Sequence, residues 1–280
     1  MPRNLTLILL TAAVMISLCG CSSFIDVRLR LVVHAVGIDP AEDGAYEVSW
    51  QVFKAQPPEG GGPVDATGQN VITIVTYGRS IYEAQKSLER QTGKEVFTGD
   101  MELIVLGSDF AGKDISRLMS YFWDDCDIYM GINVALAEGK ASEITGVTLE
   151  HGTAVTELLN EMIKATGEES RTVPARLIDI SNRLNDDKDF VMPVLTAKKA
   201  DYSNGEKDTT IYDKAVGVFK TALVSDGKPS GYLTTEETMG ICLLTAKAEN
   251  VTMLIPENDC LVITEARITK VKRRASIGSN

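Results

Sequence analysis

Residues 78–107 read GRSIYEAQKSLERQTGKEVFTGDMELIVLG, and the hydrophobic period changes within them. The first half places Ile81, Ala84 and Leu88 at the spacing of one helical face, with Ser80 as a candidate N-cap. The second half ends in a continuous apolar run, MELIVLG at 101–107, that predicts a short buried strand. A helix followed by a buried strand is typical of α/β architecture.

Strand and helix patterns alternate on both sides of this segment. Before it, three runs rich in β-branched residues predict strands. The first two are expected to pair as a hairpin around the turn-like PAEDG. After it, a helix, a strand and a short helix follow. The predicted elements are strands at 27–39, 45–54, 70–78 and 131–139 and helices at 114–125 and 141–147. Residues 21–150 are therefore expected to form an N-terminal α/β domain.

The rest of the chain changes character. Residues 151–189 carry two amphipathic patterns, TAVTELLNEMIKATGEE and PARLIDISNRLN, which predict a helical linker. Residues 190–270 predict a second, β-rich α+β domain, with turn chemistry at DGKPSG and a helix capped by Thr234 or Thr235. Residues 271–280 form a tail. The expected fold is α+β or α/β, with two domains of mixed β-sheets flanked by helices and joined by the helical linker.

The N-terminus has the layout of a secretory signal, with one basic residue, an apolar run at 5–18 and then small residues. Within LCGC, Cys21 fits the diacylglycerol acceptor of a bacterial lipoprotein signal, since a leucine lies three residues before it and a glycine directly before it. Cys19 does not fit, because the bulky Leu18 precedes it. The prediction is a signal peptide at 1–20 and a lipid anchor at Cys21.

An uncleaved transmembrane anchor is the alternative, because residues 4–25 are uncharged and about long enough to cross a bilayer. Both interpretations leave the remaining chain outside the cytoplasmic membrane and attached to it.

Composition excludes several classes of function. A net charge of −11 argues against a nucleic-acid surface. The remaining cysteines are Cys126, Cys242 and Cys260, which lie too far apart for a zinc pattern. A Cys242–Cys260 disulfide and buried free thiols both stay open. No metal or cofactor is expected.

Catalytic candidates are weak. His34 and His151 are the only histidines, and neither has a serine or cysteine at motif spacing. Four adjacent acidic pairs diverge by about 100° on a helix and more plausibly mark helix ends or turns. The pairs are Asp124-Asp125, Glu168-Glu169, Asp186-Asp187 and Glu236-Glu237. GGG at 60–62 lacks the strand-to-helix context of a phosphate loop.

Several stretches, in this order, resemble the C subunits of spore germinant receptors, the Ger(x)C lipoproteins of endospore-forming Gram-positive bacteria. They are the lipoprotein signal, AVGIDP, the opening segment at 78–107, and KAVGVFKTALVSDGKPSGYLTTEETMGICLL. The resemblance implies a lipid-anchored, non-enzymatic subunit of a nutrient germinant receptor. It would lie on the outer face of the spore inner membrane, beside a membrane-spanning A subunit and a membrane-spanning B subunit.

The chain departs from the family at two points. The family position often held by histidine in the turn after the helix is Asp100 here, so no role is carried over to that side chain. Family members continue into a third α/β domain, whereas this sequence stops at Asn280. It therefore resembles a short variant, a frameshifted product or a fragment.

The segment EVFTGD is the predicted partner-binding site, because it lies between elements and its glycine allows close backbone approach. Its residues are Glu95, Val96, Phe97, Thr98, Gly99 and Asp100. A turn shaped only for folding is the alternative. Two rival functions also stay open: a solute-binding lipoprotein that captures a small-molecule nutrient directly, and an envelope enzyme.

Overall fold

A computed structural model describes residues 29–53, 71–125, 127–147, 155–199, 214–245, 247–248, 250–257 and 260–267. Cys21 and the predicted signal peptide, GGG at 60–62, Cys126, His151 and the tail at 271–280 lie outside the described residues. The strands are β1 (Arg30–Pro40), β2 (Tyr46–Phe53), β3 (Val71–Gly78), β4 (Glu95–Phe97), β5 (Leu103–Leu106), β6 (Asn133–Ala137), β7 (Phe190–Lys199), β8 (Lys214–Ser225), β9 (Lys228–Leu233), β10 (Asn250–Glu257) and β11 (Cys260–Arg267). The helices are α1 (Ile81–Thr92), α2 (Ser116–Asp124), α3 (Ala141–Thr145), α4 (Val155–Glu168), α5 (Leu177–Asn185) and α6 (Thr235–Thr245).

The first nine strands form one mixed sheet. Its order is β3-β2-β1-β5-β6-β7-β8-β9, with β4 beside the start of β1. Strands β1, β5, β6 and β7 run parallel, and the strands at both edges pair antiparallel. Strands β10 and β11 form a separate antiparallel pair. The predicted α+β class with mixed sheets is confirmed.

Hydrophobic side chains project from both faces of the large sheet, because successive residues of a strand point in opposite directions. In β5, Ile104 and Leu106 join a core with α1, α2 and α5. Their neighbours Leu103 and Val105 join a second core with α3 and α4. A sheet covered on both faces needs continuous apolar strands, which explains the apolar run Leu103–Leu106; the charged Glu102 directly before it is exposed.

The large sheet continues across the predicted domain boundary at residue 190. Leu136 of β6 pairs with Val194 of β7, and Ala137 with Leu195. Within the predicted linker, α4 lies on the sheet and buries Leu159 completely. The division into domains at 21–150, 151–189 and 190–270 stays a prediction.

Two helix starts follow the predicted capping chemistry. Ser80 Oγ accepts the Glu83 amide at 3.1 Å at the start of α1. Thr234 Oγ1 accepts the Glu237 amide at 3.2 Å before α6, and the Glu237 carboxylate accepts the Thr234 amide at 2.9 Å. This reciprocal pair is a capping box, and both predicted caps are confirmed.

The buried Asp39 connects the end of β1 to the start of α3. Its carboxylate oxygens accept the Ala141 amide at 2.8 Å and the Ser142 amide at 3.0 Å. Burial raises the pKa of Asp39, although these amide hydrogen bonds act in the opposite direction. A Cβ at Gly107 would overlap the Asp39 carboxylate, so the site has room only for glycine there.

Cys242 is a free thiol of α6, only 2% exposed. Burial raises the pKa of its thiol, which lowers its reactivity. The expectation of a buried free thiol is confirmed for this cysteine.

Candidate partner-binding surface

The segment 95–100 lies beside the first half of β1. Residues Glu95–Phe97 form β4, which pairs in parallel with Arg30–Val32. Strand β5 pairs with the second half of β1, so the connection from β4 to β5 passes His34. The His34 carbonyl accepts the Glu102 amide at 2.9 Å. The predicted position of this segment between elements is wrong for its first half, because pairing with β1 makes Glu95–Phe97 a strand.

The six predicted residues divide by exposure, and only some can meet a partner. Val96 and Thr98 are buried, Phe97 and Gly99 are half-buried, and Glu95 and Asp100 are exposed. The alternation along β4 follows from strand geometry, in which neighbouring side chains face opposite sides. The structure thus presents Glu95 and Asp100 to solvent and uses Val96 and Thr98 for packing.

Phe97 lies between a cation and a glycine. The Arg30 guanidinium is 4.8 Å from the centroid of the Phe97 ring, which is a cation–π contact. A Cβ on Gly99 would come within 2.5 Å of the Phe97 Cζ atom. A side chain at Gly99 would therefore force the Phe97 ring to shift. The predicted role of this glycine in partner binding stays a prediction.

Thr98 joins this segment to the end of α2. Its hydroxyl donates to the Asp125 carboxylate at 2.9 Å, and the same carboxylate accepts the Asp127 amide at 3.0 Å. The Met101 amide closes the turn on the Thr98 carbonyl at 3.0 Å. The turn is consequently fixed on one side by β1 and on the other by the acidic end of α2.

His34 lies behind the turn and is 8% exposed. It occupies an irregularity in the β1–β2 register between Val33 and Ala35, and its ring centroid is 4.5 Å from that of Phe53. Its buried Nε2 atom has no hydrogen-bond partner. The nearest carboxylate oxygen, Oδ2 of Asp100, is 4.0 Å away, which is too far for a hydrogen bond.

The predicted side chains that this surface exposes, Glu95 and Asp100, are acidic. No group of three or more His, Cys, Asp or Glu side chains in the described residues is placed to hold a metal ion. The acidic pairs that were assigned to helix ends do lie there: Asp124 ends α2, Asp186 follows α5, and Glu237 is in the first turn of α6.

Sequence analysis missed two residues of this surface. His34 was considered only as a weak catalytic candidate, and Asp125 only as part of an acidic pair that marks a helix end or a turn. The register irregularity at His34 and the Thr98 hydrogen bond bring them to the turn, and no local pattern in the sequence marks either contact.

The predicted lipid anchor at Cys21 lies outside the described residues and stays a prediction. Among the residues that the structure does describe, no helix combines the length and the apolar character needed to cross a bilayer.

Comparison with known proteins gives two matches. Residues 25–197 match a family model described as the spore germination protein N-terminal domain. Over 272 residues the chain is 19% identical to spore germination protein B3 of Bacillus subtilis (strain 168), covering 92% of this chain. The chain spans 66% of the length of that relative. No solved structure matches.

Proposed function

We propose that this chain, which belongs to the Ger(x)C family of spore germination proteins, is a lipid-anchored, non-enzymatic subunit of a nutrient germinant receptor. The role in spore germination follows from the family itself. The observation that carries the finer proposal is the family match over residues 25–197, which include the sheet from β1 to β6 and the surface around β4.

In this proposal the mature chain is held on the outer face of the spore inner membrane by diacylglycerol on Cys21. Its partners are the membrane-spanning A and B receptor subunits. Each buried methylene of an acyl chain contributes about 0.8 kcal/mol, and two chains are enough for stable anchoring where one is marginal.

The proposed mechanism is positional. Arg30 lies nine residues after Cys21, so β1 can begin at most about 30 Å from the lipid. Strand β4 and its turn lie beside this first part of β1 and are therefore near the membrane surface. Holding two proteins on one membrane raises their effective concentration, so weak contacts at this surface become sufficient.

The anchor is tested by labelling living cells with a radioactive fatty acid. The wild type and Cys19→Ser should be labelled, whereas Cys21→Ser should not, because only Cys21 has the required residues before it. Equal labelling of all three chains would contradict the anchor assignment.

The partner surface is tested by placing a photo-crosslinking amino acid at Phe97. Irradiated spore membranes should yield an adduct with a membrane-spanning receptor subunit. Tyr232, an exposed aromatic residue of the edge strand β9, which does not adjoin β1 or β4, is the matched control position. Adducts of equal yield from both positions would reject the assignment of this surface.

One observation favours the alternative of direct solute binding. A cavity of about 210 Å³ lies between α5, β7 and α6, with Ala175, Ile180, Phe190 and Ile241 in its apolar lining. Small-molecule sites are concave and mostly apolar. Calorimetric titration of the full chain with the nutrients that trigger germination distinguishes the two functions, since the positional role requires no heat of binding.

A further inference from the structure

Acidic residues concentrate at the end of the molecule that carries the turn. Six of them lie on β4, on the turn with its following residues, or at the end of α2: Glu95, Asp100, Glu102, Asp124, Asp125 and Asp127. Arg30 is engaged with the Phe97 ring, and Lys86, which lies near Glu95, pairs with Glu89. Lys94 precedes β4, and Lys164 and Arg176 line the same cavity as Glu102. None of the six acids forms an ion pair with a Lys or Arg side chain within the described residues.

The end of α2 is electrostatically unfavourable as it stands. The last helical residue is Asp124, the C-cap is Asp125, and the last turn contains no basic residue. A helix C-terminus carries partial negative charge and is stabilised by cations, not by carboxylates. Three acids at this end therefore create a negative potential that an external cation would relieve.

His34 gives an independent indication of a ligand. Its Nε2 atom is buried, has no hydrogen-bond partner and faces the Asp100 carboxylate at 4.0 Å. A buried polar atom without a partner is unfavourable and needs an explanation. The Asp100 side chain is 61% exposed, so it has room to rotate. A contact that pushes Asp100 inward would bring its carboxylate within hydrogen-bond distance of His34.

We infer that this acidic end binds a Lys- or Arg-rich segment of a partner protein at the membrane surface. The inference rests on the proposed function for the position of this end, because Arg30 lies nine residues after Cys21. A basic side chain pairs with the outer oxygen of Asp100, while His34 holds the inner one. Leu29 and Phe53, 58% and 44% exposed, add apolar contact beside it. Anionic lipid headgroups have the same sign of charge as the surface and are repelled.

The inference is tested with the full-length lipidated chain in detergent and a fluorescein-labelled hexa-arginine peptide, by fluorescence anisotropy at low salt. The acidic-end variant combines Asp100→Asn, Asp124→Asn and Asp127→Asn, and leaves Asp125 in place because it fixes Thr98. The control variant combines Glu157→Gln, Glu161→Gln and Glu236→Gln, which are exposed acids elsewhere and remove the same charge.

The acidic-end variant should bind the peptide about tenfold more weakly than the wild type, as expected for the loss of three exposed ion pairs. The control variant should lose about twofold or less. Equal losses in the two variants would overturn the inference, because binding would then follow net charge alone.

The Phe97 crosslinking experiment separates this inference from the proposed function. Peptide binding that depends on the acidic end, without any receptor adduct from Phe97, overturns the receptor assignment only. A receptor adduct from Phe97 together with equal peptide binding by both variants overturns the basic-segment inference only.

Discussion

At the level of single residues, the close contact between Gly99 and the Phe97 ring limits which side chains position 99 can accept. Replacing Gly99 by alanine places a methyl group against the Phe97 ring, where a Cβ would lie 2.5 Å from Cζ. The ring must move, which disturbs its contact with Arg30. We expect Gly99→Ala to lower the free energy of unfolding by about 1 kcal/mol, measured by urea denaturation. Gly231→Ala is the control, since no atom lies within 4 Å of its added Cβ. A similar loss in both variants would contradict this account.

The buried Asp39 predicts a pH dependence of stability. Burial holds its pKa in the folded protein above the ordinary value of 3.8. The contribution of Asp39 to stability is therefore fully present below pH 3.8 and is lost as the pH rises through the raised pKa. Asp39→Asn does not titrate, so wild-type stability relative to this variant should fall from pH 3.5 to pH 7. Urea denaturation at several pH values measures the difference in free energy of unfolding between the wild type and Asp39→Asn. A difference that does not change with pH would contradict the raised pKa of Asp39.

At the level of elements, the start of α1 depends on one hydroxyl. Ser80 Oγ accepts the Glu83 amide, and the Glu83 carboxylate accepts the Arg79 amide at 2.8 Å. We expect Ser80→Ala to lower the free energy of unfolding by about 1 kcal/mol. Ser80→Asp should retain most of the stability, because its carboxylate can cap the same amides. If the aspartate loses as much as the alanine, the cap is not the source of the effect.

The elements that sequence analysis predicted correctly are those with a local cause. The spacing of Ile81, Ala84 and Leu88 predicts the buried face of α1, and all three are buried. Strand β4 was missed because three residues carry no period, and only pairing with β1 makes them a strand. The contact between His34 and the turn depends on the same pairing and on the register irregularity in β1, so the sequence alone could not place them together.

For the whole molecule, the continuity of the large sheet predicts how the chain unfolds. Because β6 pairs with β7 across residue 190, the two predicted domains should lose structure together. Trp50 and Trp123 report on the N-terminal part by fluorescence, and the buried Cys242 thiol reports on α6 by alkylation in a Cys126→Ser, Cys260→Ser background. The two probes should give one urea midpoint. Separate midpoints would instead favour two domains that unfold independently.

Asp39 and Gly107 are far apart in the sequence but share one small space, since any side chain at 107 would overlap the Asp39 carboxylate. Substitutions at these two positions are therefore expected to depend on each other during evolution. A larger residue can replace Gly107 only after Asp39 has been replaced by a smaller residue. That first substitution leaves the Ala141 and Ser142 amides without their acceptor. The intermediate is poorer than either end point, so the pair should change together or not at all across related chains. A relative with aspartate at 39 and alanine or a larger residue at 107 must have moved β5 or α3 to make room.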